Sequence, residues 1–359
     1  MPGWQETVAW FHSRQEVNHG KYPANHSPGC SMLTILIPTY KRSAQLRQNL
    51  VQLCASISAN HLESEVAILV SNNCSPDDTI EVVTAVQGNW PEITLSLVNQ
   101  AVNIGSVRNV LFLLGAAESR YVLFLADDDY IDEVFLQRVV LLCREGEISL
   151  AVPANVAVSV SGEPLGYGRD GGMPERHLAK GFRSCLFFAW RGHQMSGLLF
   201  KREGLIELCR KHAIENMYLF IYLVAVSALR GGAVHLTGSP VLVSTPTQQA
   251  KGWGYGDDGL MEDVFINFAS LEGVGLIGRC LLEMKFLWVQ YWRYAMYLKL
   301  GLRPFFRCIR KICSNPSTSP LTKVLFPLTL PLLLPLKGVM LALKGELAST
   351  LKRKVEIQG

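Results

Sequence analysis

Residues 121–130 read YVLFLADDDY, and the fold class is decided by them. Tyr121 to Leu125 are five mostly apolar residues bounded by a turn signal, which predicts a strand buried on both faces, as in a parallel sheet. Three carboxylates, Asp127, Asp128 and Asp129, follow where that strand stops. Adjacent anions repel one another, so holding them beside a buried strand calls for a cation, or for a ligand that brings one. Hard divalent ions such as Mg²⁺ or Mn²⁺ take oxygen ligands and keep positions open for phosphate oxygens. The competing reading is a solvated acidic turn that caps a helix starting near Glu133.

Outward toward the N-terminus, residues 33–38 (LTILIP) form a β-branched apolar run that ends at Pro38, a strand signature. A helix should follow, with Ser43 as N-cap and Leu46, Leu50, Leu53 and Ile57 at helical spacing. Residues 66–71 (VAILVS) predict a second strand. In the turn after it, Ser75, Pro76 and Asp78 have the spacing of a capping box that opens a helix through about Gln87. Residues 93–98 predict a third strand and residues 105–118 a third helix. This alternation implies an α/β fold whose parallel sheet is covered on both faces, with ligands bound beyond the carboxyl ends of the strands. Residues 38–42, 72–77, 99–108 and 127–129 would then emerge at one edge.

Four blocks in this order, ILIPTYKR, VSNNCSPDDT, NxxxNIGSVRN and YVLFLADDDY, resemble the nucleotide-sugar half of the family 2 inverting glycosyltransferases of bacterial polysaccharide and O-antigen biosynthesis, which have the GT-A fold. The resemblance is strong from Leu33 to about Leu142 and runs more weakly to about Thr245. It implies a nucleoside-diphosphate sugar as donor and Mg²⁺ or Mn²⁺ as cofactor. Pro38, Thr39, Tyr40 and Arg42 would line the nucleotide base, with Asn72 and Asp77 from the turn after the second strand. Asp127 would meet the ribose, Asp128 and Asp129 the metal, and Arg108 the diphosphate, unless Arg108 is a solvated helix residue. Two positions depart from the family pattern. Asn72 stands where an Asp is usual, which leaves the base open between uracil, thymine and guanine. Ala126 stands where many relatives begin Asp-x-Asp.

Inverting transfer also needs a carboxylate to take the acceptor hydroxyl's proton. The resemblance places it at Glu215-Asn216, where only the first acid of the usual Glu-Asp pair survives. Asp257 and Asp258 in the loop GWGYGDDG are rivals, as are Glu262 and Asp263. The Gly-rich stretch GEPLGYGRDGGMPERH reads as an acceptor-side flap, and His193 in the block after it as a structural histidine that bears watching.

The chain has 359 residues, 49% hydrophobic and 18% charged. Nine scattered cysteines without a CxxC pair argue for reduced thiols in a cytosolic compartment. The net charge of +4 hides an asymmetry: from Arg279 onward 14 Lys/Arg face 3 Asp/Glu, whereas the preceding part carries an acidic excess. The expected organisation is a loose leader over 1–31, a GT-A domain over 32–275 (32–145 nucleotide-sugar half, 146–275 acceptor half), and a helical extension over 276–359. The proline-interrupted apolar run near 324–336 falls short of the roughly twenty residues needed to span a bilayer. It is therefore read as associating with the cytosolic membrane surface, or else as a cap on the catalytic domain. Nucleic acid is not an expected partner.

Two classes of function remain: a metal-dependent glycosyltransferase acting on a lipid-linked or polysaccharide acceptor, and a catalytically inactive nucleotide-sugar-binding or scaffold module of a glycan assembly complex. A nucleotidyltransferase would want a Gly-rich phosphate loop after the first strand, which ILIPTYKR is not.

Overall fold

A computed structural model describes residues 31–159, 162–245, 262–291, 294, 297 and 301–330. The chain divides into two compact units, Met1–Lys251 and Gly252–Gly359.

The first unit is built on one mixed sheet. Strands β1 (Leu33–Thr39), β2 (Val66–Asn72), β3 (Leu95–Asn99) and β4 (Tyr121–Phe124) pair in parallel in the order β3-β2-β1-β4. Helices α1 (Ser43–Ala59), α2 (Thr79–Asn89) and α3 (Ser106–Ala116) supply the crossovers, and α4 (Glu133–Glu145) follows β4. The expected alternation is therefore present, with bounds shifted by a few residues. The sheet continues through β8 (Leu198–Lys201), antiparallel to β4, then β5 (Ile148–Val158) and β9 (Gly232–Ser244). Three short helices, α5 (Phe182–Phe188), α6 (Leu205–Lys211) and α7 (Leu219–Arg230), complete the unit, with a 3₁₀ turn at Ala189–His193. The central strands are apolar because both faces are covered: Ile35, Ile37, Leu123 and Leu199 are fully buried.

Three local expectations change. Residues 164–178 are only partly loop: Pro164–Arg169 form β6 on β5 and Arg176–Leu178 form β7 on β9, with 170–175 as the turn between them. Gly168 allows this, since a Cβ there would lie 2.1 Å from the Asn155 carbonyl oxygen. Ser75 does not cap α2, which begins at Thr79, because its hydroxyl accepts from Lys41 N (3.0 Å) and its N–H donates to Asn72 Oδ1 (3.0 Å). Ser43 is the first residue of α1 rather than its cap, and its N–H is satisfied from another loop by Asp77 Oδ2 at 3.1 Å.

The described part of the second unit is helical: α8 (Glu262–Ala269), α9 (Leu276–Val289), α10 (Leu302–Ser314) and α11 (320–330). Glu283 on α9 is fully buried and accepts three hydrogen bonds from two partners. Arg279 Nε donates to it at 2.8 Å, and Ser319 N, at the start of α11, donates to both of its oxygens at 3.2 and 3.0 Å. No described helix is long and apolar enough to cross a membrane.

Candidate active site

The carboxyl edge of the parallel strands gathers the acidic triplet and the loop after β1. Thr39, the last residue of β1, donates from Oγ1 to Asp127 Oδ2 at 2.7 Å. Arg42 lies three residues on, and its Nη1 donates to Asp127 Oδ1 at 3.0 Å and to Asp128 Oδ2 at 2.7 Å. Burial raises the Asp127 carboxyl to about 6, against the opposing pull of Arg42. Burial also raises Asp128, less far. The side chains differ in access: Asp127 is 5% exposed and Asp128 19%. Asp128 Oδ1 carries no side-chain bond among the described residues, so it is the carboxylate oxygen of this pair left open to a ligand.

Asp129 faces inward. Its Oδ1 accepts from Ser244 N at the end of β9 (2.8 Å), and its Oδ2 accepts from the Ser196 hydroxyl and from Gln194 Nε2 (3.4 Å). Ser196 Oγ also accepts from Ala126 N at 3.0 Å, which fixes the backbone just ahead of the triplet. Gly197 makes the approach possible, because its φ is +80° and a Cβ there would sit 2.5 Å from Val241 Cγ2. From the other side, Asn49 Nδ2 on α1 donates to the carbonyls of Asp129 (2.5 Å) and Ala126 (3.2 Å). Burial pushes the Asp129 carboxyl up to about 7, with the Ser196 bond working against it. Asp129 thus ties β4, β8 and β9 together, while its two neighbours turn to the loop after β1.

The turn after β2 is a network of amides. Asn72 Nδ2 donates to Asn99 Oδ1 (3.0 Å), Asn73 Nδ2 to Asn103 Oδ1 (3.0 Å), and Asn73 Oδ1 accepts from Ile104 N (2.9 Å). Both non-glycine residues bent into the left-handed region at this edge, Lys41 (φ 56°) and Cys74 (φ 60°), belong to these two loops. Left-handed backbone costs about 1 kcal/mol or more and persists where surrounding bonds over-determine it. Asp77 spans the loops, accepting from Ser43 N and from Thr79 Oγ1 (2.5 Å). Burial raises its carboxyl, but those bonds outweigh burial and hold it below the usual range. Tyr40 is partly exposed, at 38%.

Arg108, in the first turn of α3, donates from Nε to Glu215 Oε1. The expected diphosphate cation and the expected base are therefore partners, on half-exposed and quarter-exposed side chains. Asp257 and Asp258 lie outside the described residues, and Glu262 and Asp263 open α8 in the second unit. His193 is local: its ring stacks on Trp190 with centroids 6.1 Å apart, and its Nδ1 lies 3.1 Å from Trp190 O.

A second charged cluster, which sequence reasoning missed, sits after β6. Asp170, at φ 65°, accepts from Arg191 Nε (2.7 Å) and Nη2 (3.0 Å) and lies 3.1 Å from His235 Nε2 and 3.3 Å from Arg169 Nε. Arg169 also donates to the carbonyls of Arg191 (2.7 Å) and Pro153 (2.9 Å). Burial alone would raise the Asp170 carboxyl, yet the His235 and Arg191 bonds hold it well below the usual range. Burial lowers Arg169 to about 10. The missed members of the first cluster left a fainter trace. Asn49 is a polar residue on the apolar face of α1, between Leu46 and Leu50, and a buried amide there needs partners.

The donor set suits a hard divalent cation. Asp127 and Asp128 share one guanidinium, so the pair keeps an excess negative charge, and Asp128 keeps an open oxygen. Mg²⁺ and its analogues are held by one or two carboxylates plus substrate phosphates rather than by an all-protein cage. Among the described residues, no group of three or more His, Cys, Asp or Glu is arranged to hold a metal by itself.

No curated protein matches the sequence. A sequence model of the family described as Glycosyl transferase family 2 matches residues 34–202. Among solved structures, the chain is similar to residues 1–349 of S. aureus TarS in complex with UDP-GlcNAc. That match has 15% identity and a TM-score of 0.60, and it covers 80% of this chain and 81% of that one. It is also similar to the mannosyltransferase PcManGT of Pyrobaculum calidifontis in complex with GDP-Man and Mn²⁺. There the identity is 12% and the TM-score 0.51, over 94% of this chain and 88% of that one.

Proposed function

We propose that this chain, whose residues 34–202 match the model of glycosyl transferase family 2 and whose fold is that of the GT-A structures it resembles, is a glycosyltransferase that moves a sugar, with inversion, from a nucleoside-diphosphate donor to a lipid-linked or polysaccharide acceptor at the cytosolic face of a membrane. The observation that carries the proposal is the acidic triplet at the end of β4. Asp127 and Asp128 face the loop after β1 with one guanidinium between them, and Asp129 is locked into the fold behind them.

The residues take these roles. Pro38, Thr39, Tyr40 and Arg42 bind the nucleoside from one loop, and Asn72 and Asp77 shape the facing loop. Asp127, fixed by Thr39, receives the ribose. Asp128 is the carboxylate that would hold a divalent cation, and Asp129 serves as its support. The cation, when bound, neutralises the diphosphate and so stabilises it as leaving group. PcManGT, bound to GDP-Man and Mn²⁺, supports a metal, and TarS with UDP-GlcNAc supports a nucleotide-sugar donor.

Glu215 takes the proton of the acceptor hydroxyl as that oxygen bonds to the anomeric carbon. The bond from that carbon to the diphosphate breaks, and its electron pair leaves with the nucleoside diphosphate. The Arg108 bond holds the Glu215 carboxylate in one orientation before the acceptor arrives. Glu215→Gln is expected to lower turnover by about a hundredfold to ten-thousandfold, the range for a lost general base, with donor affinity unchanged. Unchanged turnover in that variant would move the base to Asp257 or Asp258.

A further inference from the structure

We propose that the exposed faces of α10 and α11 in the second unit dock the protein on an anionic lipid surface. Solvent-facing large apolar side chains are unevenly spread among the described residues. Ten of the nineteen fall in the second unit, which holds less than a quarter of those residues. Single exposed apolar residues are ordinary, whereas contiguous ones mark a surface that binds something.

On α10, successive residues are turned by about 100°. Phe305, Cys308 and Ile312 form the buried face. Next to that face comes an apolar fringe, with Leu302 65% exposed and Phe306 61% exposed. Beyond the fringe lie Arg303, Arg307 and Arg310, all exposed, then Lys311. Packing the helix on its own unit accounts for the first arc alone. The fringe beside an arginine row is the geometry of a helix lying in the headgroup layer, with apolar groups dipping below and cations on phosphates.

The face of α11 opposite Thr322, Phe326 and Leu330 is apolar and bare. Val324 is 62% exposed, Leu328 66% and Leu325 42%. The two helices are joined, since Cys313 Sγ lies 3.7 Å from Lys323 O and Thr318 Oγ1 donates to Ile312 O at 2.8 Å.

Charge selects the occupant. Residues 301–330 contain five Lys/Arg and no Asp or Glu. A two-fold contact with a second copy would set like-charged rows against each other. Nucleic acid would leave the apolar fringe in water. An anionic bilayer answers both features at once. Docking there would hold the catalytic unit at a surface where lipid-linked acceptors are found, but it stands on its own observations. The binding test contains no donor and the transfer test needs no vesicle, so either can fail alone.

The experiment is flotation of the full chain with vesicles of phosphatidylcholine alone and with added phosphatidylglycerol, at low and high salt. Wild type is expected to float with the anionic vesicles and to be released by salt. A basic residue near such a surface is worth about 1 kcal/mol, or roughly fivefold in partitioning, so Arg303→Gln with Arg307→Gln should lower it about 25-fold. Phe306→Ser with Leu328→Ser should lower binding at every salt concentration. All four positions are solvent-facing, and an unchanged circular dichroism spectrum establishes that the variants fold. Equal flotation with both vesicle types, flotation indifferent to these substitutions, or failure to float together with an oligomer that Leu328→Ser dissociates, would each overturn the proposal.

Discussion

The first unit contains two buried charge clusters made from the same residue types in opposite proportions. At the end of β4, Asp127 and Asp128 share Arg42, with a third carboxylate, Asp129, close behind. After β6, Arg169 and Arg191 share Asp170, and their remaining donors reach main-chain carbonyls. The carboxyls respond oppositely. Asp127 and Asp129 are pushed up by burial, to about 6 and about 7, whereas the bonds on Asp170 overcome burial and hold it down. A cluster short of cations, with one open carboxylate oxygen, is arranged to receive a ligand. One whose carboxylate is fully engaged holds the β6–β7 segment in place. Burial of charge is common to both, and so are unpartnered polar atoms, since among the described residues Arg169 Nε and His235 Nδ1 lack a hydrogen-bond partner in the second cluster. An excess of carboxylate over cation is what separates site from scaffold.

The largest expected effect tests that separation directly. Asp128→Ala should lower sugar transfer by about a thousandfold or more, the scale of losing the group that anchors transition-state charge. It should leave the melting temperature unchanged or slightly raised, since it removes repulsion. A fall in stability as large as the fall in rate would make the triplet structural and erase the contrast.

Asp170→Asn should do the reverse. It leaves two buried guanidiniums without their anion, and breaking a buried pair costs about 3–5 kcal/mol. Urea denaturation should register that loss, while the fraction still folded keeps its turnover per molecule. Selective loss of turnover would instead place Asp170 in the reaction.

The pH dependence of stability should separate the clusters by sign. Asp127 and Asp129 have folded values above the ordinary aspartate value of 3.8, so their contribution is present below that value and is lost as pH rises through about 6 to 7. Asp170 has a lowered folded value, so its contribution is present above 3.8 and is lost as pH falls through the acid range. Melting curves without divalent metal should show Asp129→Asn flattening the fall between pH 4 and 7. A slope unchanged by Asp129→Asn would contradict the burial argument.

The smallest effect is that of Arg42→Gln. Its side chain is 45% exposed, so screening limits the loss to about 1 kcal/mol or less. Added Mn²⁺ should offset that loss if a cation fits where the guanidinium lies, which thermal melting with and without the metal reads out.

The sequence announced the first cluster far better than the second. An acidic run beside a buried strand is local, as are the strand runs 33–38 and 66–71, and local patterns survive in a single sequence. The closing partners are not local: Asp129 is bonded by Ser196 and Ser244, and Asp127 by Thr39. Asp170 sat in a Gly-rich stretch that looked like a loop, and its partners Arg191 and His235 come from a 3₁₀ turn and from β9. The capping expectations failed for the same reason. Ser75 and Asp77 spend their side chains on the neighbouring loop and on α1, which sequence spacing does not reveal. The resemblance points to Glu215, but nothing in its spacing points to Arg108, 107 residues away.

The most direct test of the central claim is a thermal-shift panel of nucleoside diphosphates and their sugars, with and without Mn²⁺, on wild type and Asp128→Ala. The account predicts that one nucleotide class stabilises the wild type and that the part of the shift requiring Mn²⁺ disappears in the variant. Equal stabilisation of both proteins, or none by any nucleotide, would contradict it.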